Sequence, residues 1–203
     1  GKYELSKKNY TGAIQKFNKS LKEHPLLYEA YYYRGLAKYY LQDYAGAEKD
    51  FSEAVELFPY KADYYMHRAI VRDKLYNFQE ALQDYSRALD LDSANADIFA
   101  NRAVTYLFLH QYDKAVKDCN RAVFHQIDKS NIYIIRGMSF SGLGKYEEAI
   151  DDFDRVISTD RDNPFAYIQR AAALSKLGLA DSALLDLNMV LKKDSSNSLA
   201  LFQ

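Results

Sequence analysis

Apolar, small and charged residues recur along the chain with a period of 34 residues. Within each period, the apolar residues follow the spacing of two amphipathic helices that are joined by a short turn. Self-similarity at a fixed period predicts stacked helix pairs instead of one globular core, so we expect a single elongated array over residues 1–203. The pattern divides the chain into a truncated repeat one (1–27), the complete repeats two to six (28–61, 62–95, 96–129, 130–163 and 164–197) and the start of a further helix (198–203).

Glycine and proline mark several of the predicted helix ends. Gly144 and Gly178 stand at the turns inside repeats five and six, where glycine adopts the left-handed conformation at little cost. Pro164 falls in the first turn of its helix, where no backbone N–H is needed. Pro25 is expected to end the second helix of repeat one, and Thr11 is expected to cap its start. Connections this short favour antiparallel helix pairs.

The period and its residues resemble the tetratricopeptide repeat (TPR). That pattern has an aromatic residue at position 4, a small residue at 8, alanine at 20, an aromatic residue at 24 and proline at 32. Repeat two fills these positions with Tyr31, Gly35, Ala47, Phe51 and Pro59. The resemblance implies an all-α superhelix, a solenoid of antiparallel helix hairpins.

Each complete repeat also has an arginine at position 7, where the family pattern usually has leucine, and an aspartate at position 23. The two lie on different helices of one hairpin. Pairing with the preceding repeat would place Arg34 opposite Lys16, so we expect pairing within each repeat. Arginines at the same position of five successive repeats are also typical of an anion-binding track, but the matching aspartates favour structural ion pairs. The predicted pairs are Arg34–Asp50, Arg68–Asp84, Arg102–Asp118, Arg136–Asp152 and Arg170–Asp186.

The resemblance further implies a binding groove lined by the first helix of each repeat, at positions 2, 5, 6, 9, 12 and 13. These positions are mostly apolar or aromatic in this sequence, and a contiguous apolar surface on a soluble protein usually indicates a partner. The alternative is that the aromatic residues only pack against neighbouring helices. The candidate groove residues are Tyr32, Tyr33, Leu36, Tyr39, Met66, His67, Ile70, Asn101, Val104, Phe108, Ile135 and Met138.

The composition of this groove also limits its ligand. Family members that bind acidic chaperone tails use lysine, arginine and asparagine at positions 5, 6 and 9 of three successive repeats. Asn101 matches the middle asparagine, but Met66, Ile70, Ile134 and Met138 replace the flanking polar and cationic residues. We therefore expect an apolar or aromatic peptide, which could bind as a helix.

Few residues point to enzyme chemistry. The four histidines lie in different repeats without metal-ligand spacing, and no phosphate loop or nucleophile motif is present. Cys119 stands at the aromatic position 24 of repeat four and is interpreted as a small buried residue, the alternative being a reactive thiol. We predict no cofactor, no metal and no enzymatic activity.

The net charge of -1 argues against a nucleic-acid partner, and the absence of an 18-residue apolar run argues against membrane insertion. The sequence thus predicts a protein–protein interaction scaffold. Two alternatives are self-association through exposed ends of the array, giving a homo-oligomer, and a substrate-recruiting arm of a larger enzyme. The chain starts and stops inside repeats, so we expect a piece of a longer protein, and either a cytoplasmic or a periplasmic location is compatible with it.

Overall fold

The computed structural model describes residues 1–125, 130–193 and 200, and these residues form α-helices and no strand. Parts of two predicted repeat junctions and of the predicted further helix lie outside the described part of the chain, namely residues 126–129, 194–199 and 201–203. The helices are α1 (Lys2–Ser6), α2 (Tyr10–Glu23), α3 (Tyr28–Tyr40), α4 (Tyr44–Leu57), α5 (Ala62–Lys74), α6 (Phe78–Leu91), α7 (Ala96–Phe108), α8 (Tyr112–Phe124), α9 (Ser130–Gly142), α10 (Tyr146–Thr159), α11 (Pro164–Lys176) and α12 (Ala180–Lys193).

The two helices of each repeat are joined by a tight turn whose backbone geometry recurs. A residue at position 15 adopts the left-handed conformation, with φ between 55° and 77°. This residue is a glycine in repeats five and six, as predicted, but in repeats one to four it is Lys8, Gln42, Tyr76 and His110, respectively. The next residue's N–H donates to a carbonyl oxygen five residues earlier, as Asp43 N does to Lys38 O at 2.9 Å. This hydrogen bond satisfies a carbonyl at the helix end and stabilises the turn without requiring glycine.

The predicted cap of α2 was wrong. The helix begins at Tyr10, and Asn9 is its N-cap, because Asn9 Oδ1 accepts a hydrogen bond from Gly12 N at 3.1 Å. Asp43 occupies the equivalent position in the next repeat and accepts from Gly46 N at 2.9 Å. The N-cap position therefore follows the 34-residue period, although Asn77, Gln111 and Lys145 at this position make no side-chain capping hydrogen bond. Thr11, two positions after Asn9, lies inside the helix.

Small residues let the two helices of a repeat approach each other. The alanines at position 20, from Ala13 to Ala183, are buried. At position 8 a Cβ on Gly35 would lie 2.8 Å from Cε1 of the Phe51 ring, and one on Gly137 would lie 2.7 Å from the same atom of Phe153. Glycine at position 8 is thus required by the phenylalanine at position 24, which fills the space that the missing side chain leaves.

The chain forms two compact units, unit 1 (Gly1–Ile98) and unit 2 (Phe99–Gln203). Within each unit, the buried clusters join helices of neighbouring repeats. In unit 1, Ala54 of α4 packs with Tyr64 of α5 and Tyr85 of α6. In unit 2, Ala122 of α8 packs with Ile132 of α9 and Val156 of α10.

Candidate functional site

The arginine at position 7 and the aspartate at position 23 meet in all five complete repeats. In each pair the arginine Nε donates to one carboxylate oxygen and Nη2 to the other, at 2.6–2.9 Å. The aspartates are buried, at 2–5% exposure, while the arginines keep partial access to solvent. These are bidentate pairs within one repeat, between its two helices.

The remaining arm of the arginine reaches the preceding repeat, which the sequence reasoning missed. Nη1 of Arg34 donates to Asn18 Oδ1 and Nη1 of Arg136 to Asn120 Oδ1, both at 2.7 Å. The partner at this position 25 is a serine for Arg68 and an aspartate for Arg170. One guanidinium therefore joins three helices of two neighbouring repeats. The only sequence signal was a polar residue sixteen positions before each arginine.

An aromatic ring supports each of these arginines from the same helix. The guanidinium carbon lies 5.3–5.9 Å from the centroid of the ring three residues earlier, a cation–π distance. In unit 1 a second cation shares each aspartate, because Lys38 lies 2.8 Å from Asp50 and Arg72 lies 2.8 Å from Asp84. Arg72 also pairs with Glu48 of the preceding repeat at 2.9 Å.

These contacts favour the structural interpretation of the arginines over an anion-binding track. The hydrogen bonds that Arg34 donates to Asp50, together with the negative charge of Asp50, raise the pKa of Arg34 despite partial burial. For Arg102, burial lowers the pKa, but hydrogen bonding and the charge of Asp118 outweigh it. Bidentate arginines with matched carboxylates have little capacity left for a further anion.

The candidate groove residues fall into two sets, and all of them except Phe108 are half-buried. The unit-1 groove residues are Tyr32, Tyr33, Leu36, Tyr39, Met66, His67 and Ile70. The unit-2 groove residues are Asn101, Val104, Phe108, Ile135 and Met138. Each half-buried side chain has one part that packs inside its unit and another part that faces solvent. These residues are therefore compatible both with a binding surface and with packing between helices.

Tyr32 is the centre of an aromatic cluster in unit 1. Its ring centroid lies 4.6 Å from that of Tyr64, 5.2 Å from Tyr33, 5.5 Å from His67 and 5.8 Å from Phe51. Burial, followed by the charge of Asp63, raises the pKa of Tyr32, so its hydroxyl is un-ionised at neutral pH. The cluster presents rigid rings with hydroxyl groups, a composition favoured where binding energy concentrates.

The other unit-1 groove residues surround this cluster. Tyr39 lies 5.5 Å from Tyr40 and 5.9 Å from Tyr44, measured between ring centroids. Met66 and Ile70 pack against the buried cluster around Tyr64. Leu36 packs beside Phe51.

His67 is a neutral member of the cluster. Its Nδ1–H donates to the Asp63 carbonyl oxygen at 2.8 Å, and Tyr32 Oη lies 3.3 Å from the same nitrogen. Burial lowers the pKa of His67, against a smaller opposing effect of Asp63. The imidazole therefore contributes no positive charge to the groove near neutral pH.

The unit-2 groove residues are fewer and less aromatic. Ile135 packs against the cluster around Ile132 and Tyr133, and Met138 packs beside Phe153. Phe108 is 67% exposed. Asn101 lies on α7 among half-buried residues.

No catalytic arrangement appears among the described residues. Cys119 is fully buried, and burial raises the pKa of its thiol to about 12, so it is not a nucleophile at neutral pH. Over residues 1–125 and 130–193, no three histidine, cysteine or acidic side chains are grouped to hold a metal ion. None of the described helices combines the length and the apolar character needed to cross a membrane.

The helix hairpins, their shared small positions and their repeated ion pairs define a helical repeat protein. Models of the tetratricopeptide repeat match residues 28–61 and 130–163, and a TPR repeat model matches residues 77–107. The chain belongs to the tetratricopeptide-repeat family, which confirms the predicted all-α solenoid of antiparallel hairpins. Tetratricopeptide repeats indicate a protein–protein interaction scaffold, and proteins of this family are generally non-enzymatic.

Several solved structures share this fold. YrrB, a TPR protein with an unusual peptide-binding site, has a TM-score of 0.79 and 21% identity, covering 92% of this chain and 96% of its own. PilW, a widely conserved type IV pilus biogenesis factor, has a TM-score of 0.85 and 16% identity, covering 98% of this chain and 93% of its own. A tetratricopeptide repeat protein from Parabacteroides merdae has a TM-score of 0.81 and 18% identity, covering 97% of this chain and 78% of its own. A comparison with curated protein sequences gives no significant match.

Proposed function

We propose that this protein is a non-enzymatic scaffold whose groove residues bind an apolar or aromatic segment of a partner protein. The observation that carries the proposal is the half-buried aromatic cluster around Tyr32 in unit 1. Its rings are held by each other and by the buried clusters beneath them, so binding orders few additional side chains. YrrB, which has the same fold, is a TPR protein with an unusual peptide-binding site.

A fluorescence anisotropy titration with designed peptides tests this function. The probe is a labelled amphipathic helical peptide of leucine, phenylalanine and glutamine, and an acidic peptide of equal length is the reference. We expect the apolar peptide to bind and the acidic one not to bind. The double variant Tyr33→Ser with Ile70→Ser should weaken binding at least tenfold.

Because Tyr33 and Ile70 are half-buried, their loss must be separated from unfolding. Circular dichroism and thermal melting of each variant provide that check at the titration temperature. The matched control is Leu26→Ser with Tyr60→Ser, which removes two side chains that are 76% and 71% exposed in loops. Equal weakening by both double variants, or by neither, would place the binding surface elsewhere.

Self-association is a second candidate function, favoured by one surface of α12. Leu185 and Met189 are 68% and 47% exposed at positions 22 and 26 of repeat six. Repeats two to five have polar or charged residues at both positions, for example Lys49 and Glu53. Apolar residues on a face that is otherwise charged indicate a contact with another protein surface.

Light scattering over a range of protein concentrations tests this candidate. Self-association through α12 should be lost when Leu185→Lys and Met189→Glu restore the residue types of repeat two. A chain that is monomeric at every concentration before mutation would remove the candidate.

A further inference from the structure

Two carboxylates border the aromatic cluster of unit 1. Glu29 and Asp63 occupy position 2 of repeats two and three, in the first turns of α3 and α5. None of the unit-1 groove residues is a lysine or an arginine. Burial is the largest cause of the raised pKa of both Tyr32 and Tyr64. The second cause is the charge of Asp63 for Tyr32 and the charge of Glu29 for Tyr64, whose pKa is raised to about 12. Each of these two carboxylates therefore places negative charge near an aromatic ring of the cluster.

Lys2 shows that such a combination holds a cation. Its Nζ lies 3.3 Å from Glu29 Oε2 and 4.4 Å from the centroid of the Tyr33 ring. A carboxylate and an aromatic face attract an ammonium group by different mechanisms, an ion pair and the ring quadrupole. Lys61 is an example of the aromatic contact, with its Nζ 5.7 Å from the centroid of the Tyr64 ring.

One repeat further along, the position equivalent to Lys2 holds an apolar residue. Asp63 and His67 are the counterparts of Glu29 and Tyr33, but Leu36 takes the place of Lys2. The Asp63 residue is exposed, and its carboxylate has no hydrogen bond or ion pair in the part of the chain that the structure describes. Asp63 lies close to Tyr32, because His67 Nδ1 is 2.8 Å from the Asp63 carbonyl oxygen and 3.3 Å from Tyr32 Oη.

We propose that the segment bound by unit 1 carries a basic side chain, lysine or arginine, among its apolar residues. Its cation binds the Asp63 carboxylate beside the Tyr32 ring, as Lys2 binds Glu29 beside Tyr33. This inference rests on the proposed function and adds the charge of the ligand to it. It also agrees with the replacement of cationic groove positions by Met66 and Ile70, since neither of these residues repels a basic ligand.

Anisotropy titrations with a set of labelled peptides test the ligand charge. All peptides share one apolar amphipathic sequence, in which a single lysine is moved from position to position, and norleucine replaces it in the reference peptide. We expect at least one lysine position to improve affinity roughly three- to tenfold over norleucine. The gain should shrink at 0.5 M salt, where the screening length is on the order of 4 Å, because salt screens the charge of an exposed carboxylate such as Asp63.

The Asp63→Asn variant should bring the ratio of lysine to norleucine affinity close to one. The matched control is Asp151→Asn, an exposed carboxylate on α10 outside the groove, which should leave the ratio unchanged. A lysine advantage that survives Asp63→Asn overturns the proposal, as does equal binding of all peptides to the original protein. Equal binding would still support the apolar groove, whereas binding of no peptide would overturn the proposed function itself.

Discussion

Arginine at position 7 holds these repeats together in a way that leucine cannot. A leucine would contribute apolar burial, whereas Arg136 makes directed bonds to Asp152 in its own repeat and to Asn120 in the preceding one. Directed bonds require one relative position of the helices, so the arginine constrains register as well as distance. The stability of the pair depends on both partners being present, because desolvation of an unpaired charge is costly.

Removing one partner of a buried pair should therefore be severe. We expect Asp118→Ala to lower the free energy of unfolding by about 3 kcal/mol, because it leaves the Arg102 guanidinium partly buried without its carboxylate. Replacing both residues with leucine should cost much less. Urea unfolding of the single and double variants measures the difference, and equal losses would contradict the pairing.

An exposed ion pair provides the control for that series. Arg87 and Asp90 lie 3.7 Å apart with side chains that are 48% and 69% exposed. Asp90→Ala should change the free energy of unfolding by less than about 0.5 kcal/mol, since exposed pairs contribute little.

The histidine in the aromatic cluster should make stability depend on pH. The folded-state pKa of His67 lies below its ordinary value of 6.5, so the unfolded chain binds a proton that the folded chain does not. The contribution of His67 to stability is therefore complete above about pH 6.5 and is lost as the pH falls below it. Thermal unfolding at pH 7.5 and pH 5 should show a larger loss for the original protein than for His67→Asn, which keeps a side-chain N–H donor. Identical losses would contradict a neutral His67 imidazole in the folded protein.

At the scale of helices and turns, the fold tolerates different residues in one backbone conformation. The turn residue at position 15 is left-handed whether it is Gln42, with φ of 63°, or Gly144, with φ of 74°. A left-handed residue with a Cβ costs about 1–2 kcal/mol, so repeats one to four carry a cost that repeats five and six avoid. The hydrogen bond across the turn and the packing of both helices outweigh that cost.

Exchanging the turn residues tests this account. Gly144→Ala should destabilise the protein by about 1 kcal/mol, although nothing lies within 4 Å of the added Cβ. The reverse change, Gln42→Gly, should stabilise it by about 0.5 kcal/mol, because the relieved strain exceeds the added entropy of the unfolded chain. Thermal unfolding of both variants measures these changes in stability. Two changes of the same sign would contradict this account.

At the scale of the molecule, stability is expected to be a sum of contacts between neighbouring repeats. The buried clusters of unit 2 join adjacent helices, as Ile168 of α11 packs with Val190 of α12. A lesion in one repeat should therefore weaken that repeat and its neighbour more than a distant one.

Hydrogen exchange of an ion-pair variant in repeat six measures this locality. Asp186→Ala removes the carboxylate that Arg170 binds between α11 and α12. Amide exchange in α11 and α12 should accelerate at least about tenfold, while α8, two repeats earlier, should keep its protection. A uniform acceleration through unit 2 would instead indicate one cooperative unit.

The period of 34 residues was enough to predict the helix pairs, because each repeat places the same residue types against the same neighbours. The partner of Arg34 also followed from charge alone, since Lys16 excluded the preceding repeat and Asp50 remained. The contact to position 25 was not predictable in this way. Its residues vary among asparagine, serine and aspartate, so only the direction of the third guanidinium arm reveals them.

The sequence by itself determined the helical array, the small positions between its helices and the ion pairs within repeats, because these depend on residue type and spacing. Only the tertiary structure decided how much of each groove residue faces solvent. Tyr32 is half-buried because rings of two repeats, including Tyr64 and Phe51, surround it, and a pattern along one helix does not contain that distance. The nearness of Lys2 to Glu29 and Tyr33 has the same origin, since burial and electrostatic contact arise from the stacking of one repeat on the next.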